Sequence, residues 1–566
     1  MLKPQNILNK RVISLCVILL FLITKLSFSQ NINCDHSIDY NTTVVDGTDL
    51  IYPGDTVCLL AGNKNYLLLR NIHGTDAEPI VILNKNGKVI IDTDHHYGIK
   101  FEGCSFVKLS GNGSETHQYG ILISRVENGA GISVDYLSTN IEIEYTEISN
   151  SPIGGIYAKT DPDPYGDCTF PAVRDSFEMY NTVIHDNYLH DIGNEGMYIG
   201  SSKYTGQQIY NCDTMVLPHV MIGVKVYNNI LENIGWDGIQ VSSAISDCEI
   251  YGNYIIHDSY AEEKCQMSGI LIGGGSNCNC YNNTIIDGKG DGIDLLGLGD
   301  NRIYNNLIVN AGKTYYPNQP HNDTLQKHGI WTGDIVTNQN TDFFIYNNTI
   351  VSPRNYGMKL SNSTVLNNRI YNNLIVEPGG YGLVGNDSYV NRTSSYVNLD
   401  LSNNFLNPLI TSAKFINPGN NNYDLLINSP AISIGKDLSY LGLDFDIENR
   451  PRPYYLYYDI GAYECQDSTL SIDASGKLKS DIILKNNYPN PFKNKTNISF
   501  YLPDKTHVKI NIFDETGNIV NEIINSNLPK GNHNFVFYAK DISAGTYYYS
   551  LLTNNYCITK KMTIIE

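Results

Sequence analysis

Ile303-Tyr304-Asn305-Asn306-Leu307-Ile308 is the stretch that decides the fold, because it returns. It recurs as Val226-Tyr227-Asn228-Asn229-Ile230-Leu231, as Ile345-Tyr346-Asn347-Asn348-Thr349-Ile350 and as Ile370-Tyr371-Asn372-Asn373-Leu374-Ile375. Weaker copies centre on Asn187, Asn253, Asn283 and Asn404. The intervals between successive second asparagines, from 187 to 404, are 42, 24, 30, 23, 42, 25 and 31 residues. Each copy alternates apolar and polar residues over a few positions, as a short strand does. The short intervals fit one coil of a solenoid, and the long ones a coil plus an insertion. One coil cannot bury its apolar face alone, whereas stacked coils bury it through parallel strands about 4.8 Å apart. Identical asparagines stacked coil on coil can hydrogen-bond to each other and to the turn backbone, which satisfies amides that burial would otherwise leave bare.

This column resembles the asparagine ladder of pectate-lyase-like proteins. The resemblance implies an all-β chain built as a right-handed parallel β-helix over 30–408, with a closing segment at 409–465. Within that segment Tyr423-Asp424-Leu425, Ser429-Pro430-Ala431-Ile432 and Asp459-Ile460-Gly461-Ala462-Tyr463-Glu464 look like the end of bacterial surface β-helices. It is expected to cover the strand edges of the last coil.

Composition agrees. The chain has 566 residues, 48 Gly, 42 Tyr and only 17% charged residues. Gly and Asn are poor in helix interiors, and 42% hydrophobic content is too much for a disordered chain. The net charge of −19 shows no basic face, so nucleic acid is not the expected partner. Met1–Ser29 reads as a signal peptide: Lys3, Lys10 and Arg11 are followed by the apolar run Val12–Ile23 and by Ser27-Phe28-Ser29 before Gln30. That run is short for a membrane span, and the mature chain is expected to carry no transmembrane segment and to be a monomer. Of twelve cysteines, Cys16 lies in the signal, leaving an odd number for an oxidising compartment. Cys168 and Cys212 fall in two long insertions and can staple them together. Cys265, Cys278 and Cys280 offer a metal set without a Cys-x-x-Cys pair.

At the other end, a polar linker at 466–480 precedes a β-rich segment, 481–566. It opens on Asn487-Tyr488-Pro489-Asn490-Pro491-Phe492, alternates at Val508-Lys509-Ile510-Asn511-Ile512, and closes on Ala544-Gly545-Thr546-Tyr547-Tyr548 and Lys560-Lys561-Met562. This is similar to the C-terminal sorting domain of the type IX secretion system of Bacteroidetes. It implies a small β-sandwich, passage across the outer membrane by that machinery, removal of the domain, and attachment to the cell surface or release. The competing reading is a carbohydrate-binding sandwich, which would want an exposed aromatic platform.

A second column, x-Gly-(Ile/Met/Leu), follows the asparagine in each coil. The residue before Gly is Tyr97, Tyr119, Gly154, Glu195, Asp237, Ser268, Asp291, His328, Tyr356 and Tyr381. Three residues further on stand Tyr198, Gln240, Leu271, Asp294, Trp331 and Lys359. Glu195 and Asp237 should then be about 5 Å apart on neighbouring coils, and Asp291 roughly 10 Å from Asp237. One acid per coil makes a linear groove that suits an extended polymer. Stacked carboxylates repel, so they point either to a use or to ordinary solvated turn residues, since Asp before Gly is a common turn choice.

Gly290-Asp291-Gly292-Ile293-Asp294-Leu295 and Asn355-Tyr356-Gly357-Met358-Lys359-Leu360 resemble pieces of family nine polysaccharide lyases, whose Asp-rich coil holds Ca²⁺ and whose Lys removes the proton. By that resemblance Asp237, Asp291 and Asp294 are Ca²⁺ ligands and Lys359 is the base, with His328 on the intervening coil. The chain departs from the pattern where Gly290 replaces one Asp of a doubled pair and where the His328 coil separates acid from Lys. The expected partner is a polysaccharide. Trp331, Tyr356, Tyr381 and Gln240 are the expected substrate contacts. Two other readings stay open: a glycoside hydrolase using Glu195 and Asp237 or Asp237 and Asp291, and a non-catalytic adhesin or scaffold that binds through insertions around Asp161–Phe177 and Ser201–Pro218. His185-Asp186, His190-Asp191 and His257-Asp258 read as surface turns.

Overall fold

The computed structural model describes residues 33–566 apart from 49, 115, 316–326, 335–340, 380–388, 455–456, 467–481, 486, 488, 515–518, 541, 554–556 and 566. The signal-peptide expectation and Tyr381 lie outside the described residues. Among the described residues no helix is long and apolar enough to cross a membrane.

From His36 to Asn407 the chain winds as parallel strands, in one 23-stranded sheet that forms two sides of the coil and one twelve-stranded sheet that forms the third. A coil runs through three strands: Lys225–Tyr227, Ile230–Ile234 and Ile239–Val241 are one such set, and Arg302–Tyr304 and Leu307–Val309 begin another. The Asn-Asn pair makes the corner between the first two strands. Its first member takes a left-handed φ, 54° at Asn228, 52° at Asn305 and 51° at Asn347, a conformation that Asn, Asp and Gly tolerate best. Asp186 and Gly252 fill the same corner in their coils, at 53° and 65°. Its second member is the ladder. Each buried amide donates to the next coil's Oδ1, from Asn187 through Asn229, Asn253, Asn283, Asn306, Asn348 and Asn373 to Asn404, at 2.9–3.0 Å.

The tyrosine of the motif forms a second ladder on the outside. The rings of His185, Tyr227, Tyr251, Tyr281, Tyr304 and Tyr346 stack nearly parallel, 4.5–4.9 Å between centroids. Their spacing is the strand spacing itself, so these tyrosines are ordered by the repeat.

Among the described residues, no strand of the closing segment pairs with the edge of the last coil. The segment lies along the flank of the helix. Phe415, Tyr423, Leu425, Ala431, Ile460 and Ala462 pack on Ile286, Leu307, Val309, Val351, Leu374 and Val376, the outward residues of several coils. Asn347 donates its amide to the Asp459 carbonyl at 2.9 Å, and Gly461 N–H to the Asn372 carbonyl at 2.8 Å. Leu307-Ile308-Val309 and Leu374-Ile375-Val376 are therefore apolar without alternation, because both their faces are buried.

Among the described residues three disulfides are present: Cys34–Cys58, Cys168–Cys212 and Cys248–Cys278. The second ties the two long insertions together, as their spacing allowed. The third joins neighbouring coils and removes Cys278 from any metal set with Cys265 and Cys280. In the C-terminal region, antiparallel sheets of three and four strands share a core that includes Phe492, Ile498, Phe500, Ile510, Tyr549 and Met562.

Candidate active site

The glycine of the x-Gly column has a steric reason. A Cβ on Gly238 would lie 2.5 Å from the Gly269 carbonyl oxygen, and one on Gly292 2.5 Å from that of Gly329. Only Gly lets successive coils approach so closely, and this fixes the register of the residues around it.

That register sets the two expected rows side by side. Glu195 neighbours Asp237, Asp237 neighbours Ser268, Ser268 pairs with Asp291, Asp291 neighbours His328, and His328 neighbours Tyr356. Tyr119 is not in this row. It precedes the strand Ile121–Val126 on another side of the coil, and Ala130 stands between Tyr97 and Gly154. Tyr119-Gly120 thus leads into a strand of the 23-stranded sheet, not of the sheet that carries the column. The second row runs Tyr157, Tyr198, Gln240, Leu271, Asp294, Trp331, Lys359 and Asn391 in unbroken register.

Glu195, Asp237 and Asp291 are buried and Asp294 is half-buried. Asp237 is 1% exposed, its Oδ1 accepts Ser268 Oγ–H at 2.7 Å, and its Oδ2 has no hydrogen-bond partner. Burial pushes its carboxyl up to about 7. Burial, followed by the charge of Asp291, holds the Asp294 carboxyl well above the usual carboxylate range. Glu195 is raised by burial too, and its Oε2 accepts the Tyr157 hydroxyl at 2.7 Å. Asp258, in a neighbouring turn, is buried with one oxygen on Ser259 Oγ–H at 2.7 Å and the other unpartnered, and burial raises it to about 6. The surface-turn reading of His257-Asp258 is thus half wrong: His257 is exposed and Asp258 belongs to this cluster. His185 is buried as well, paired with Asp186 at 2.7 Å and Glu142 at 3.1 Å beneath the tyrosine stack.

Among them sits a residue the periodicity did not reveal. Lys327 Nζ is 2.9 Å from Asp291 Oδ2 and donates to the Met267 carbonyl at 3.0 Å. The second Asp291 oxygen accepts the backbone N–H of His328. Burial alone would lower the Lys327 ammonium, but Asp291, Asp294 and Asp237 outweigh it and leave its pKa raised. His328 is the opposite case. It is 3% exposed, burial drops it to about 4, and its Nδ1 accepts the Tyr356 N–H at 3.2 Å, so the neutral ring carries its proton on Nε2.

Trp331 donates its indole N–H to Ser361 Oγ at 3.2 Å. Lys359 is partly buried, its nitrogen lies 5.4 Å from the Tyr356 ring centre, and burial lowers its pKa. Gln240 is buried, with its Oε1 unpartnered.

Ca²⁺ takes six to eight oxygens at 2.3–2.6 Å. Asp237 and Asp291 stand two coils apart, and Asp291 is already engaged by Lys327 and the His328 N–H. Among the described residues, the tight groups of three candidate ligands lie elsewhere, at Glu142, Glu144 and His185 and at Asp163 beside the Cys168–Cys212 disulfide. The three aspartates as arranged do not fit a shared calcium.

Asp237 carries a stability prediction. Its carboxyl keeps a proton in the folded chain up to about pH 7 that the unfolded chain loses near 3.8. Its contribution is therefore full at low pH and is lost as pH rises through that window. Asp237→Asn keeps the Ser268 bond without the ionisation, and at about pH 8 should be more stable than the parent by up to roughly 4 kcal/mol, the equivalent of the shift. Thermal unfolding of both proteins at acid and alkaline pH checks this: the variant's advantage should vanish in acid.

Comparison with known proteins places the chain. The family model for a right-handed β-helix region matches residues 178–406, and that for a secretion system C-terminal sorting domain matches 486–566. Two solved structures show distant likeness. The enzymatically active domain of tailspike protein 2 of bacteriophage CBA120 is 11% identical, with a TM-score of 0.31, over 93% of this chain and 72% of that one. XylC in complex with xylose is 10% identical, with a TM-score of 0.37, over 75% of this chain and 98% of that one. No curated protein sequence matches the chain. The chain is a right-handed parallel β-helix protein. Its C-terminal segment is a type IX secretion sorting domain, which directs it across the outer membrane to the cell surface or the medium.

Proposed function

We propose that the groove cleaves a uronate-containing polysaccharide by β-elimination. The observation that carries this reading is the row Asp294–Trp331–Lys359 on three consecutive coils. A sugar ring stacked on Trp331 would have a protonated carboxyl about 4.8 Å to one side and a lysine of lowered pKa about 4.8 Å to the other. Lys359, as the neutral amine, takes the proton α to the uronate carboxylate. The freed electron pair forms the ring double bond, the glycosidic C–O bond breaks, and the departing oxygen takes the Asp294 proton. In a chain that is otherwise acidic, Lys327 offsets the charge of Asp291 beside this row. The reaction as written needs no metal.

Hydrolysis is favoured by one separate observation. Asp237, protonated to about 7, stands one coil from Glu195, and paired carboxyls about 5 Å apart suit a retaining glycosidase.

The test is a panel of polygalacturonate, alginate, glycosaminoglycans and neutral glycans, following ultraviolet absorbance of unsaturated products and, in parallel, new reducing ends. Elimination predicts both signals. Reducing ends alone would transfer the chemistry to Glu195 and Asp237, and binding without either would make the groove a scaffold.

A further inference from the structure

The acid cluster is held together by a cation the chain carries itself. Asp237, Asp258 and the pair Asp291 and Asp294 on one strand come from three segments of the chain, and buried charges of one sign are costly unless offset. Three of their oxygens, Asp237 Oδ2, Asp258 Oδ2 and Asp294 Oδ1, are buried with no hydrogen-bond partner, which marks a place built to receive something positive or protic. Lys327 is 8% exposed and fixed at three points. Its backbone N–H donates to Asn355 Oδ1 at 2.9 Å, and its ammonium reaches Asp291 at 2.9 Å and the Met267 carbonyl at 3.0 Å. Its stem also has a made seat: Gly312 adopts φ +68°, and a Cβ there would come within 2.2 Å of Lys327 Cβ.

We propose that Lys327 is the resident cation of this groove, standing where a divalent metal would otherwise be needed and holding Asp291 and its neighbours in place for the reaction. Lys327 is a positioning residue: it contacts the carboxylates, while Trp331 and Lys359 meet the substrate. The inference rests on the groove being the functional site, but it can be read without activity. Removing the ammonium leaves its two oxygen partners, Asp291 Oδ2 and the Met267 carbonyl, around an empty seat, and oxygen donors are what a hard cation takes.

The experiment measures Tm of the full chain, and of Lys327→Ala and Lys327→Met, in CaCl₂ and in EDTA. Wild type should unfold at the same temperature in both. The lysine variants should unfold lower in EDTA and regain about 2–4 °C or more in calcium, by preferential binding to the folded state. Adding Asp291→Asn to either variant should abolish that response, which a purely structural lysine would not produce. Lys327→Met keeps the stem and guards against a simple packing loss in the alanine variant. A calcium-dependent rise in wild type that disappears in Asp294→Asn would overturn the proposal, because calcium would then be the resident cation. So would folded Lys327 variants indifferent to calcium. Silence in the glycan panel with the calcium response intact would count against the proposed reaction and leave the role of Lys327 standing.

Discussion

Lys359→Met is expected to lower the rate of elimination about 10²–10⁴-fold, the usual contribution of a positioned general base, with Tm unchanged. Lys359 projects from the outer face of the strand Met358–Leu360, level with Trp331 and Asn391, while Met358 and Leu360 point into the core. The substitution keeps an unbranched stem of similar length beside Tyr356, with sulfur in place of one methylene, and removes the basic nitrogen. Burial lowers the pKa of Lys359, so more of it is neutral amine at a given pH than for an exposed lysine. The wild-type rate should rise with pH through that lowered pKa, and the residual rate of the variant should lose this limb. Initial rates across pH, with Tm recorded at each, check both points. A rate loss that merely follows a fall in Tm would remove Lys359 from the chemistry.

Asn306→Ala is expected to have the largest effect on stability. Asn306 accepts both the backbone N–H and the side-chain amide of Asn283 at 3.0 Å, and donates to the Cys280 carbonyl at 3.0 Å and to Asn348 at 2.9 Å. Alanine would strand the buried Asn283 N–H and the Cys280 carbonyl. At about 1–3 kcal/mol for each buried group left unpaired, the loss is on the order of 4 kcal/mol. Asn404→Ala, at the partly exposed end of the ladder, removes comparable bonds where water can replace them and should cost clearly less. Urea unfolding of the two variants side by side measures the difference. Equal losses would mean that the ladder's amides are not each needed to satisfy the interior.

The parts of this molecule that repeat were legible in its sequence. The ladder asparagines, the x-Gly rows and the adjacency of Asp294, Trp331 and Lys359 all follow from one residue type recurring at one place in each coil. What did not repeat stayed hidden. Lys327 follows an insertion and has no counterpart in other coils, so no period leads to it, although it immediately precedes His328. Asp258 sits in a turn like many exposed ones, and only packing distinguishes it. Tyr119 shows the converse error, because a matching dipeptide on a different side of the coil passed for a member of the column. The flank position of the closing segment did leave a signal: Leu307-Ile308-Val309 and Leu374-Ile375-Val376 lack the alternation a one-sided strand requires. Calcium was implied by two short matches, but the carboxylates it needed are divided between two coils and paired with a lysine.

The electrostatics of the groove give the account its internal consistency. A net charge of −19 disfavours an anionic polymer at long range, yet at the site burial raises Asp237 and Asp294 toward the neutral acid, and Lys327 is paired with Asp291. Burial thereby turns an acidic row into one that can receive a carboxylate.

The most direct measurement is a crystal structure of Lys359→Met with an uncleaved oligouronide bound. The account predicts a sugar ring on the Trp331 indole, with its carboxylate turned toward the Lys327 side of the groove and its α-carbon facing the place the Lys359 nitrogen would hold. An oligosaccharide seated over Glu195 and Asp237, or between the disulfide-linked insertions with the Trp331 face bare, would contradict it.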